Sequence, residues 1–197
     1  PGTLLPVLFR HVDDYDRWKF NIVGTKAMNA WLRSVEPWSF EQWSSFLEYG
    51  EHWQGPWSLC YREGEAILRA DTRAVEAAVS SGAMKIKIVP GFIYSTESYK
   101  KPWLWSNADQ CYVEGLALNC PSFMANDAGH LLANKSGTFG MAWHLKEATK
   151  VKCSLRSNGD YDVSAIAKTF GGGGHRNAAS FSVSVAEFLH WLVLEAE

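Results

Sequence analysis

Four consecutive glycines, Gly171 to Gly174, restrict this chain more than any other feature. Glycine loses more backbone freedom on folding than any other residue, so a run of four is unfavourable inside a regular helix or strand. Such a run fits where the backbone takes positive φ, or where another group must approach it closely. Val163 to Phe170, just before it, reads as a short helix, and His175 to Ala179, just after it, can begin a further helical turn. A glycine loop opening onto a helix start presents free N–H groups and the positive end of a helix dipole, a setting for phosphate or carboxylate. His175 and Arg176 add donors and positive charge at the same point. The alternative is a flexible linker, but linkers mix Gly with Ser and run longer.

The 197 residues suffice for one large domain or two small ones, and 47% apolar residues allow a core. A net charge of −2 argues against bulk nucleic-acid coating, so an anionic ligand must be met by a local basic site. Cys60, Cys111, Cys120 and Cys153 show no CxxC spacing and no histidine at a zinc-like offset, which predicts reduced, mostly buried thiols. The sequence shows no signal peptide and no apolar run near ~18–20 residues, which predicts a soluble, cytoplasmic protein with no membrane partner. Ten tryptophans predict packed helix contacts or an interaction surface. The apolar start, Leu4 to Phe9, calls for a partner surface and suggests that the first residue is not a natural domain edge.

Helices are predicted from Pro6 to His11, over Thr25–Val35, from Ser39 to about Gly50, and from Trp57 or Ser58 to Ser81. Ser39 with Gln42 has the capping-box spacing. Strands are predicted over Met84–Val89, Tyr112–Asn119, Gly137–His144, Val151–Ser157 and Ser180–Val183, with helices starting at Cys120–Ser122 and Val185. The first 82 residues are therefore read as helical and 83–197 as mixed α/β. Residues 91–111, with Tyr94, Tyr99, Trp103 and Trp105, either line a cleft or cover the core.

Asp13, Asp14 and Asp16 cannot all share one helix face. Asp13 and Asp16 can, with Asp14 pointing elsewhere. Clustered carboxylates suit Mg²⁺ or Mn²⁺, and boundary aspartates paired with Arg17 and Lys19 suit capping chemistry; the residues alone leave both open.

Ser154-Leu155-Arg156-Ser157, Asp162-Val163-Ser164, Ile166-Ala167, and Phe170 through the glycines to His175, Ala178, Ala179 and Phe181 resemble the DHHA1 domain of the DHH phosphoesterase superfamily, whose pattern is close to SLRS…DVSxIAxxFGGGGHxxAAGF. Ser180 stands where that pattern commonly has Gly. Val12-x-Asp14-x-Asp16-x-Trp18-x-Phe20 resembles the "DRDLW" segment of the exopolyphosphatase-like or oligoribonuclease-like branch. Leu118-Asn119-Cys120-Pro121 and Gly129-His130-Leu131-Leu132 are similar to another segment of that branch. The sequence contains no Asp-His-His and no D-x-D before Asp14.

The resemblance implies an α/β protein: a helical N-terminal segment and long connector helix, then a DHHA1-type domain with a mixed sheet. It implies that 1–82 is the remnant of a DHH catalytic domain plus the connector, and that 83–197 binds substrate. It further implies Mn²⁺- or Mg²⁺-dependent hydrolysis of phosphodiesters in short oligonucleotides or small nucleotides, by metals held largely on an absent DHH domain. Asp14 is then the expected metal ligand, with Asp16 the fallback, and the chain alone is expected to be inactive or nearly so. Arg156, His175, Gly172, Gly173 and Gly174 are the expected substrate contacts, with Ser154 and Asn119 as further candidates. Asn177 is expected to bond the loop, His130 to be a packing or surface histidine, and Phe139 and Trp143 to be core. A non-catalytic RNA- or nucleotide-binding module is the alternative function, and a homodimer is a further expected partner.

Overall fold

A computed structural model describes residues 6–17, 19–35, 39–48, 56–88, 113–159 and 161–191. Expectations for 91–111, for Leu4 and Leu5, for Cys111 and for the helix end beyond 191 lie outside the described residues. The chain divides into two compact units, Pro1–Arg73 and Ala74–Glu197.

The first unit is helical: α1 (Val7–Asp16), α2 (Thr25–Ser34), α3 (Phe40–Glu48) and the opening turns of α4 (Pro56–Gly82). Leu8, Met28, Trp31, Leu32 and Cys60 form its core, with Val12, Val35 and Trp43 packed around them. The capping box opens α3 as its spacing predicts: the Ser39 amide donates to Gln42 Oε1 at 2.7 Å and the Gln42 amide donates to Ser39 Oγ at 3.2 Å. The first helix runs further than predicted, to Asp16, because nothing in His11–Asp16 interrupts it until the chain turns at Arg17. Where α4 meets α2, Gly64 lies against the Ala27 carbonyl so closely that a Cβ would stand 2.0 Å from that oxygen.

Among the described residues, the second unit is built on a mixed six-stranded sheet in the order β1-β2-β3-β4-β6-β5. The strands are β1 (Met84–Ile88), β2 (Val113–Asn119), β3 (Phe139–Glu147), β4 (Lys150–Ser157), β5 (Gly173–His175) and β6 (Ala178–Ser184). Only β2 and β3 run parallel, joined by the crossover helix α5 (Ala125–Ser136); the other pairs are antiparallel. Gly137 closes α5 in the left-handed conformation, φ 74°, with its amide on the Ala133 carbonyl at 3.0 Å.

Period-two patterning gives the sheet two different faces. Ile86, Ile88, Val113, Ala117, Phe139, Met141, Val151, Cys153, Leu155, Ala179, Phe181 and Val183 face one way, onto α6 (Val163–Thr169) and Phe188 of α7 (Val185–Trp191). On the opposite face Leu118 and Ala142 pack with Ala128 and Leu132 of α5 and with Val75 and Val79 of α4, which is why the unit boundary falls inside α4. The described cysteines Cys60, Cys120 and Cys153 are free and buried, and burial pushes the Cys153 thiol up to about 12. No helix among the described residues is long and apolar enough to cross a membrane.

Gly64 yields a test of packing against propensity. Alanine is favoured over glycine inside a helix by about 0.8–1.0 kcal/mol. The overlap with the Ala27 carbonyl is expected to reverse that sign, so Gly64→Ala lowers stability by about 1–3 kcal/mol in urea unfolding.

Candidate substrate-binding face

Strand β4 alternates along its length. Val151, Cys153 and Leu155 enter the core, so Lys152, Ser154 and Arg156 stand on the α5 side of the sheet. The register extends this polar row across the next two strands: Ser154 pairs with Ser180 and Ser180 with Gly173, while Arg156 pairs with Ala178 and Ala178 with His175. Residues paired across an antiparallel sheet share a face. Arg156, Ser154, Gly173 and His175, distant in sequence, are therefore placed on one side of the sheet. Ser154, Arg156 and Gly173 are half-buried and His175 is exposed.

Arg156 is fitted to α5. A Cβ at Gly129 would stand 2.8 Å from Arg156 Cγ, so the glycine makes room for the arginine stem. The guanidinium Nε donates to Asn126 Oδ1 at 2.8 Å, and a terminal nitrogen donates to the Leu155 carbonyl at 2.8 Å. A planar fork held in this way is oriented before a ligand arrives. Sequence reasoning missed Asn126, one turn before Gly129. It also missed Lys152, although the alternation of Val151–Ser157 carried the signal for it.

The four glycines divide into two pairs with different tasks. Gly171 takes φ 69°, its amide donates to the Lys168 carbonyl at 3.1 Å, and the Gly172 amide donates to the Ala167 carbonyl at 2.9 Å. These two bonds make a Schellman cap on α6. The Gly172 amide, expected to face a ligand, instead closes the helix. Gly173 and Gly174 belong to edge strand β5. The helical turn expected over His175–Ala179 is also corrected: His175 ends β5, Ala178 begins β6, and Arg176-Asn177 is the hairpin turn between them. Strand pairing outweighs the local helix signal there, so no helix dipole contributes to this loop.

Two-residue hairpin turns favour positive φ, yet among the described non-glycine residues only Phe20 has it. Tertiary bonds hold the turn instead. The Arg176 carbonyl accepts from the Val163 amide at 2.8 Å, and the Asn177 carbonyl accepts from the Ser157 amide at 3.2 Å. Asn177 Nδ2 donates to Ser157 Oγ and to the Gly159 carbonyl, both at 3.1 Å, the loop-bonding role expected of it.

Other candidates lie elsewhere. Asn119 pairs with Trp143, on the core-side register of the sheet, and its side chain donates to the Trp143 carbonyl at 3.0 Å. His130 is half-buried on α5. Phe139 is buried, and Trp143 packs on Phe188 with ring centroids 4.8 Å apart, so both belong to the core, as expected.

Asp14 lies in the helical unit and is buried. Its Oδ1 accepts the Asn21 amide at 2.9 Å, and its Oδ2 accepts the Ile22 amide at 3.1 Å and the Thr25 hydroxyl at 2.7 Å. Since that hydroxyl gives its proton to Asp14, His11 Nδ1, 2.9 Å from Thr25 Oγ1, carries the proton of their bond. Burial raises the Asp14 pKa, but the Thr25, Asn21 and Ile22 hydrogen bonds outweigh it and hold the carboxyl below its usual range. Burial lowers the His11 pKa, with Asp14 opposing the shift and Arg10 adding to it. Asp16 is exposed, and Asp13 pairs with Arg17 at 2.8 Å. Two residues apart on a helix, Asp14 and Asp16 point to different sides, and they do not fit a common metal ion. The described residues contain no group of three His, Cys, Asp or Glu able to hold one.

The second unit thus combines a mixed sheet, a crossover helix on one face with a polar row beside it, and a glycine hairpin bounding that row. Residues 123–194 match the family model described as the DHHA1 domain, a module associated with DHH-family phosphoesterases. An uncharacterized protein of Acanthamoeba polyphaga mimivirus is similar to the chain at 27% identity over 190 residues, covering 93% of this chain and 38% of that protein. The chain thus spans well under half the length of the curated relative it matches.

Two neighbouring glycines are expected to respond oppositely to alanine. At Gly172 a Cβ would stand 2.3 Å from the Ser180 carbonyl oxygen, so Gly172→Ala destabilises by about 1–3 kcal/mol. At Gly173 a Cβ meets nothing within 4 Å, so Gly173→Ala leaves thermal stability unchanged or slightly raised.

Acid is expected to loosen the helical unit in two stages. His11, its folded pKa lowered, begins to cost stability as pH falls below the unfolded value of about 6.5. The stability contributed by Asp14 is complete above the unfolded carboxylate value of about 3.9 and is lost as pH falls through its lower folded value. Asp14→Asn removes the second stage, lowers stability at neutral pH and speeds amide exchange at Asn21 and Ile22. Unchanged exchange there would refute the structural role of Asp14.

Proposed function

We propose that the DHHA1 domain is the substrate-binding part of a phosphohydrolase, and that it grips a phosphodiester of a short oligonucleotide or small nucleotide. The observation that carries this reading is the placing of Arg156, Ser154, Gly173 and His175 on one side of the sheet. Arg156 offers a planar fork to a phosphate. Ser154 offers a hydroxyl, His175 a ring N–H, and Gly173 a backbone that a ligand can approach without meeting a side chain. An overall charge of −2 suits a short anionic ligand met locally better than long RNA.

DHHA1 domains normally accompany an N-terminal DHH domain. In the proposed arrangement that domain supplies the acidic groups for Mn²⁺ or Mg²⁺, which would activate water at the phosphorus. The residues described here do not fit that metal pair, so their part is to hold and orient the phosphodiester.

Calorimetry of the 197-residue chain with the dinucleotide pApA tests the reading. Binding is expected in the wild type, with an affinity loss of roughly 10–100-fold for Arg156→Ala, the range for hydrogen bonds to a charged group. The same chain with Mn²⁺ is expected to hydrolyse pApA at background rates. Unaltered binding by Arg156→Ala, or robust Mn²⁺-dependent turnover, would overturn the assignment.

A further inference from the structure

Lys152 stands on the same side of β4 as Arg156 and is half-buried. Its Nζ donates to Ser180 Oγ at 2.8 Å. No carboxylate pairs with it among the described residues, and a lysine ammonium has three donors, so two N–H groups lack a protein acceptor there. A partly desolvated cation held by a hydroxyl and not by an acid retains its full charge for an incoming anion.

The anchors of the two cations also separate them. Lys152 is paired in register with Ser182, but its bond to Ser180 draws Nζ one row along the sheet, into the row of Ser154 and Gly173. Arg156 occupies the next row, about 6.6 Å further along the strand, and its Nε is drawn by Asn126 toward α5. Each cation therefore has its own anchor, and the face presents two positive points instead of one.

We propose that Lys152, positioned by Ser180, is a second anion contact, so that the face selects ligands with two phosphate groups over ligands with one. This rests on the substrate-binding reading given above. It assigns Lys152 and Ser180 a discriminating role, while Arg156 holds the phosphate common to all ligands.

The test compares the wild-type 197-residue chain with Lys152→Met, Lys152→Gln and Ser180→Ala. Binding of pApA and of AMP is measured by calorimetry over a series of salt concentrations. Either lysine variant is expected to weaken pApA by about 10-fold, the effect of one charged hydrogen bond, while AMP changes by less than about 2-fold. The slope of log affinity against log salt for pApA is expected to fall by about 0.7, the loss of one phosphate contact to a single strand. Ser180→Ala is expected to weaken pApA in the same direction by less, because the charge remains but its position is no longer fixed. Equal weakening of both ligands, or an unchanged salt slope, would assign Lys152 a structural role and overturn the proposal. If Arg156→Ala abolishes binding of both ligands while the lysine variants bind pApA normally, the proposal fails and the substrate-binding reading stands. If the wild type binds neither ligand, both fail.

Discussion

Ser157 ends β4 with its amide on the Asn177 carbonyl and its hydroxyl on the Tyr161 carbonyl, at 3.2 and 2.6 Å. Asn177 returns a bond to the same hydroxyl, and its neighbour Arg176 accepts from the first residue of α6. One small polar residue thus joins the end of the central strand, the start of a helix and the turn of the β5–β6 hairpin. The register of β6 on β4 runs away from this point, and that register decides which side chains stand beside Arg156. Ser157 is buried, so its polar groups must be satisfied within the protein, and losing one partner would leave a costly orphan.

Strand patterning was the most legible part of the sequence. Alternation in Val151–Ser157 gave β4 to within a residue and fixed which residues enter the core. The glycine run was legible as a special backbone, but its division was not. A Schellman cap on α6 followed by an edge strand requires knowing that β6 pairs on both sides, which is long-range information. The helix expected after the glycines failed for the same reason: His175 to Ala179 has no local feature against helix, and cross-strand bonds decide the outcome. Ser180 reads in sequence as a mild departure from a glycine, and only the fold gives it Lys152 as a partner.

The aspartates show where chemistry and structure look alike in one dimension. Asp13, Asp14 and Asp16 read equally as metal ligands or as capping residues. In the fold the three separate: one pairs with Arg17, one binds the 21–25 loop and its threonine, and one faces solvent. A carboxylate that accepts three protein hydrogen bonds is strongly directed, and the buried His11–Thr25–Asp14 chain explains why this acid is placed inside the protein.

Strand β5 has three residues, two of them glycine, and sits at the sheet edge. A strand without side chains carries little information about its own alignment, and glycine-rich strands slip readily. A shift by one position would carry His175 from the polar side of the sheet to the core side. The strand cannot prevent this itself. The cap at Gly171–Gly172 behind it and the tethered Arg176-Asn177 turn ahead of it clamp it from both ends. The position of the histidine is thus specified by the bonds at the two ends of the strand and not by side chains along it.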